Sequence, residues 1–139
     1  MFGRQGKKLD RLQVQSSDLG AKAQGDWAEK LACEWLVEQG LVLRDQNFRT
    51  RYGEIDLIMQ SRDCLIFVEV RYRKTIQYGS AEESITAKKC QRLIAAAQGY
   101  LLVKGYNSDT AIRFDALAIS PSTDPHLHYT INWIQNILS

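Results

Sequence analysis

Long apolar runs are missing from this chain. Nowhere in its 139 residues does a stretch approach the roughly 20 consecutive apolar residues that a membrane helix requires, and the start "MFGRQGKKLDRL" lacks the apolar segment of a secretory signal. A cytoplasmic protein with no membrane partner is therefore expected. Cysteine is scarce as well. Cys33, Cys64 and Cys90 are odd in number, widely spaced and never in a Cys-x-x-Cys pair, which argues against a disulfide framework or a zinc knuckle and fits reduced thiols in a reducing compartment. The two histidines, His126 and His128 in "DPHLHY", sit beside a proline and read as loop residues rather than as half of a tetrahedral metal site. A dominant charge is also lacking: a formal +2 is too small to announce a polyanionic partner by itself. There is no internal repeat and no low-complexity segment.

What is present has the make-up of one ordinary globular domain, with 45% hydrophobic and 24% charged residues. Residues 1–16 are polar and basic without sustained periodicity and read as a flexible arm; residues 17–139 read as the single domain. Ser17 or Asp18 is placed to cap a helix whose stripe is Ala28, Leu31, Ala32, Trp35 and Leu36, ended by Gly40. "LVLRDQNFRTRY" then reads as a short strand followed by a polar connection. A second helix, over about 82–104, carries Cys90, Leu93, Ile94, Ala97, Tyr100 and Leu101 on one stripe and ends at Gly105. "AIRFDALAIS", 111–120, reads as a strand, and "YTINWIQNIL", 129–138, as a last strand or short helix. This order of elements predicts an α/β fold, a mixed sheet covered by helices.

Between these elements lies "GEIDLIMQSRDCLIFVEVRYRK", residues 53–74, two apolar strands around a polar turn. Side chains alternate between faces, so the pairing register is the one that sorts apolar from polar residues. With Gln60 opposite Leu65, the pairs Met59–Ile66, Leu57–Val68 and Ile55–Val70 make one face wholly apolar. The other face then pairs Ile58 with Phe67, Asp56 with Glu69, and Glu54 with Arg71. A slip by one residue mixes both faces. The chosen register sets two carboxylates side by side, where like charges repel unless a divalent cation lies between them. Against that stands the plainer reading, in which Asp56 faces solvent and Glu69 pairs with Arg71 or Arg49. Positive residues cluster as "RTR" at 49–51, "RYRK" at 71–74 and "KKCQR" at 88–92, on either side of these acids. Each cluster alone reads as solvated surface; together, around one carboxylate group, they point to a phosphate-bearing ligand.

"GEIDLI" and "EVR", which set twelve residues between Asp56 and Glu69, resemble the PD-(D/E)xK nuclease superfamily, whose motif is an acid on one strand and acid-x-Lys on the next. More closely, "AEKLACEWL", "NFRTRYGEIDLI", "IFVEVRYR", "GSAEESITAKK" and "RFDALAI", in this order, resemble the YraN family of uncharacterised bacterial proteins, itself similar to archaeal Holliday junction resolvases. The resemblance covers about residues 20–120 and implies a restriction-endonuclease-like mixed sheet flanked by helices. It also implies that Asp56 and Glu69 are metal-binding acids, with Glu29 of the first helix a third, holding Mg²⁺ or Mn²⁺. The position of the motif lysine holds Arg71, which stays protonated and cannot serve as a general base at neutral pH. Two rescues are open: Lys88 or Lys89 presents an ammonium from the second helix, Lys89 matching the family's helix lysine, or the cation activates the nucleophile with Arg71 only as electrophile.

The expected function is metal-dependent phosphodiester hydrolysis on DNA, including branched DNA, with Asp56, Glu69, Arg71 and Glu29 catalytic and Arg49, Arg51, Arg73 and Lys89 on phosphates. The alternative is a nucleic-acid-binding protein that keeps the nuclease fold with little or no cleavage; a third reading is an interaction protein using a sheet edge or the "INWIQNIL" segment. Junction-cutting relatives act as two-fold dimers, so a homodimer is part of the resemblance.

Overall fold

A computed structural model describes residues 4–7, 20–73 and 86–138. In chain order the elements are β1 (Arg4–Lys7), α1 (Ala21–Glu38), β2 (Val42–Thr50), β3 (Gly53–Gln60), β4 (Leu65–Tyr72), α2 (Ala87–Val103), β5 (Ile112–Pro121) and β6 (Tyr129–Ile134). They build one six-stranded sheet in the order β1-β6-β5-β4-β3-β2. All neighbours pair antiparallel except β4 and β5, which are parallel, the crossover between them carrying α2. The mixed sheet expected from the sequence is thus the observed one, of restriction-endonuclease-like α/β type.

One helix covers each face. Ala28, Leu31, Ala32, Trp35 and Leu36 of α1 are buried in a cluster with Leu57, Met59, Ile66, Val68, Leu117 and Ile119. Leu93, Ala96, Ala97 and Tyr100 of α2 pack on the opposite face with Ile58, Leu65, Phe67 and Phe114. Each large side chain so buried contributes about 1.5–3 kcal/mol of transfer free energy. Buried on both faces, β4 and β5 read as near-continuous apolar runs, as parallel strands do.

Helix limits differ from the sequence expectation. The first helix starts at Ala21, with Gly20 as a cap that offers no side-chain bond; Ser17 and Asp18 lie outside the described residues. It does end where expected, at Gly40, whose φ of +100° is the left-handed conformation glycine tolerates. The second helix begins at Ala87 behind Thr86, whose hydroxyl accepts from the Lys89 N–H at 3.1 Å, and residues 82–85 are outside the described residues. Ile94 of its expected stripe is 39% exposed, and Ala96 takes that place in the core.

The polar connection expected after a short strand is instead strand through to Thr50. An outermost strand needs only its inner edge paired, so solvated side chains at Arg44, Gln46 and Arg49 cost it nothing, and a register shift between Leu43 and Asp45 interrupts the ladder. Within the arm, Arg4–Lys7 pairs with β6 through backbone bonds that are indifferent to side-chain polarity; residues 1–3 and 8–16 lie outside the described residues. The final segment is strand β6, and His126 and His128 are exposed in the loop before it. No described helix is long and apolar enough to cross a membrane.

Candidate active site between the parting strands

The β3–β4 ladder has the register read from the sequence, from Gln60↔Leu65 to Leu57↔Val68, and ends there. Beyond that point β3 stays paired with β2 as far as Thr50↔Gly53, while β4 stays paired with β5 as far as Tyr72↔Ile119. The two middle strands therefore part while each is held by its outer neighbour. Into the gap goes the Asp56 carboxylate: its Oδ2 accepts from the backbone N–H of Val70 at 2.8 Å, replacing a ladder bond with a side-chain bond.

This opening corrects the register expectation at its far end. Ile55–Val70, Asp56–Glu69 and Glu54–Arg71 are not ladder pairs. Strict alternation fails there too, because Ile55 joins the α2-side cluster with Ile58 instead of facing α1 with Leu57 and Met59. The two acids nevertheless share one electrostatic site. Burial first, and then the charge of Glu69, push the Asp56 carboxyl up to about 8, with Glu29 and Glu54 adding to the rise and the Val70 N–H opposing it.

Glu29, on α1, is hydrogen-bonded to Asp56; burial raises its pKa, the bond to Asp56 opposes that, and the charges of Glu54 and Asp26 reinforce it. From β2 comes a residue the sequence reading missed. With its amide turned so that the nitrogen faces the two acids, the orientation that satisfies both, Asn47 donates to Glu29 Oε1 at 2.7 Å and to Glu54 Oε2 at 3.3 Å. The pairs Gln46↔Leu57 and Phe48↔Ile55 bracket it opposite Asp56, and its φ of +53° is left-handed. Asparagine inside a strand is unusual and tolerates that conformation, which is the signal "DQNFR" carried.

Glu69, 5% exposed, is held by two cations. Lys89 Nζ, from the first turn of α2, lies 2.7 Å from its Oε2, and Arg71 Nε lies 3.4 Å from the same oxygen. Of the two sequence-level rescues for the missing motif lysine, the geometry matches the one that brings an ammonium from the second helix. A cleft of about 370 Å³ opens over these groups, lined by Gly53, Glu54, Asp56 and Glu69 on one side and by Thr86, Lys88, Lys89, Arg92 and Leu93 on the other.

The remaining basic residues are dispersed around it. Arg49 is exposed and meets Glu54 at 3.4 Å, so it reaches the rim; Arg51 sits in the turn between β2 and β3; Arg73 follows β4 and is outside the cleft lining. Arg92, noted only as part of a basic cluster in the sequence, is a wall of the cleft.

Among the described residues no three acidic, histidine or cysteine side chains converge as a ready-made metal chelate. The donor chemistry still suits a hard divalent cation: Asp56 and Glu69 act on each other electrostatically, and Glu29 touches Asp56. What stands in the way is Lys89, whose ammonium holds the Glu69 carboxylate as its counter-charge.

A mixed sheet with one helix on each face, carrying acids where its central hairpin opens and basic side chains across a cleft, defines a restriction-endonuclease-like α/β protein. A family model described as "Uncharacterised protein family UPF0102" matches residues 28–119. A UPF0102 protein of Nitrosococcus oceani is 49% identical over 96 residues, covering 69% of this chain and 77% of its own length. One from Vibrio parahaemolyticus is 44% identical over 115 residues, 83% of this chain and 91% of that protein, and one from Nitrosomonas europaea is 45% identical over 112 residues, 81% and 90%. The chain belongs to the UPF0102 family, the YraN family that its motifs resemble.

Proposed function

We propose that this protein is a divalent-metal-dependent endonuclease that hydrolyses phosphodiester bonds in DNA. The observation that carries the reading is the Lys89 ammonium 2.7 Å from Glu69, beside Asp56, in a cleft with a basic wall: acid, acid and lysine meet although Arg71 stands at the motif lysine's place. Asp56, Glu69 and Glu29 would hold Mg²⁺ or Mn²⁺. When bound, the cation supplies charge neutralisation at the phosphate and a more acidic water.

The chain's own part follows from its geometry. Lys89 exchanges its bond to Glu69 for a phosphate oxygen, so substrate and cation enter together. Arg71 remains protonated and offers charge, not basicity. Lys88 and Arg92 draw the backbone into the cleft, with Arg49 and Arg51 at its rim and Arg73 further out.

Purified protein incubated with plasmid and branched DNA in Mg²⁺ or Mn²⁺ tests this. Cleavage is expected in wild type, lost in Glu69→Gln, and reduced about a hundredfold or more in Lys89→Ala, as for removal of one group that stabilises transition-state charge. Cleavage that persists in Glu69→Gln belongs to a contaminant and ends the proposal. A second reading, a binding module without cleavage, draws on the occupied Glu69 and the absence of a ready-made chelate among the described residues. It predicts salt-sensitive DNA binding that no divalent ion improves.

A further inference from the structure

The turn from β2 to β3, Thr50-Arg51-Tyr52-Gly53, lies on the rim of the cleft, since Gly53 and Glu54 line it. Tyr52 is 50% exposed, the one aromatic among the large apolar side chains that the described residues leave in solvent. Every other described aromatic contact is made inside the fold, such as Phe48 on Tyr100 or Trp27 on Tyr129. Half of this side chain faces water beside a basic cleft.

Nor is the ring loosely carried. The Thr50 hydroxyl accepts from the N–H groups of Tyr52 and Gly53 at 3.0 and 3.2 Å and donates to the Gly53 carbonyl at 3.1 Å, which fixes the turn. The Thr50 methyl in turn sits at packing distance from Gly99 of α2, where a Cβ would stand 3.6 Å from it, and Gly53 lies equally close to Arg92, 3.5 Å from its Cβ by the same measure. Arg51 holds the ring from one side: its Nη2 donates to the Tyr52 oxygen at 3.1 Å and its guanidinium carbon lies over the ring, 5.2 Å from the centroid, which leaves the opposite face for a base. An aromatic face fixed in place beside cations that track a phosphate backbone is the combination that binds single-stranded nucleic acid by stacking. In a duplex both faces of each base are already stacked, so the ring gains a partner only where a base is unpaired.

We propose that Tyr52 is a stacking platform for an unpaired nucleobase next to the phosphodiester held by Lys88, Lys89 and Arg92, so that the substrate is DNA with a single-stranded or splayed segment at the cleft. This rests on the nuclease reading for the cleft's occupant but not on cleavage, and it assigns Tyr52 to substrate choice. Arg51 is the positioning residue that aims the ring.

Binding by the intact chain, measured by anisotropy without divalent ions, separates the claims. The probes are one labelled strand, its full duplex, and a duplex with a splayed fork. Tyr52→Ala is expected to weaken strand and fork binding about tenfold, the equivalent of one lost base stack, and duplex binding less than about twofold, while Tyr52→Trp restores the difference. A 2-aminopurine placed in the splayed segment should be quenched by wild type and not by Tyr52→Ala. Equal losses on all three probes, or none, would overturn the platform even where Lys88→Ala weakens binding throughout. If wild type binds none of the probes, the cleft does not hold DNA, and the nuclease reading falls with the platform.

Discussion

Asp56 carries a proton at a pH where an ordinary carboxyl is charged, because it is buried among other acids. Its folded value of about 8 lies above the ordinary 3.8, so the stability it contributes is complete below about pH 4 and is lost as pH rises through about 8. Metal-free protein is therefore expected to melt at progressively lower temperature from pH 5 to pH 8.5. Asp56→Asn should flatten that slope, since an amide keeps an oxygen for the Val70 N–H without the charge; a slope unchanged in the variant would remove Asp56 as its source. For the same reason Mg²⁺ or Mn²⁺, which binds the deprotonated form, should raise the melting temperature more at pH 8 than at pH 5, and Glu69→Gln should abolish the rise. Differential scanning fluorimetry across pH, with and without metal, reads both effects.

At the scale of single elements, β2 holds the outer side of the site through one residue in an unusual conformation. Asn47→Gly keeps the left-handed backbone and should fold about as stably as wild type, whereas Asn47→Ala should lose about 1–2 kcal/mol, the cost of that conformation for a residue with a Cβ, in urea denaturation. Both variants lose the amide bond to Glu29, so both should bind metal more weakly. The helices and the hairpin register were legible in the sequence because their periodicities are local: 3.6 for the stripe of α1 and 2 for Leu57, Met59, Ile66 and Val68. Asn47, the length of β2 and the turning of Ile55 were not. An edge strand's pairing leaves no mark on its solvent-facing residues, and the point where two strands diverge is set by their outer neighbours, which a hairpin considered alone does not contain. Lys89 was legible as part of a basic cluster, and as a stand-in for the motif lysine through family resemblance; its distance to Glu69 comes from how α2 packs on the sheet.

For the molecule as a whole, the far end of the sheet is locked by another buried acid. Asp115, fully buried in β5, receives two hydrogen bonds from Arg113 at 2.9 and 2.8 Å, one from Trp133 Nε1 at 2.9 Å and one from the Asn136 backbone at 2.9 Å, tying β5, β6 and the C-terminal turn together. Asp115→Ala strands a half-buried guanidinium and an indole N–H, and should destabilise the chain by about 3–5 kcal/mol in the same denaturation experiment, with cleft chemistry affected only through unfolding. The two acids thus divide labour: Asp115 closes the fold and Asp56 keeps it ajar. Because Asp56 is wedged between β3 and β4, removing its side chain altogether invites those strands to zip further and narrow the opening, a change of shape as well as of charge. A charge-only knock-out at this position is the amide, and Glu69, whose backbone stays in register with β5 whatever its side chain, is the place to silence the chemistry while leaving the doorway open.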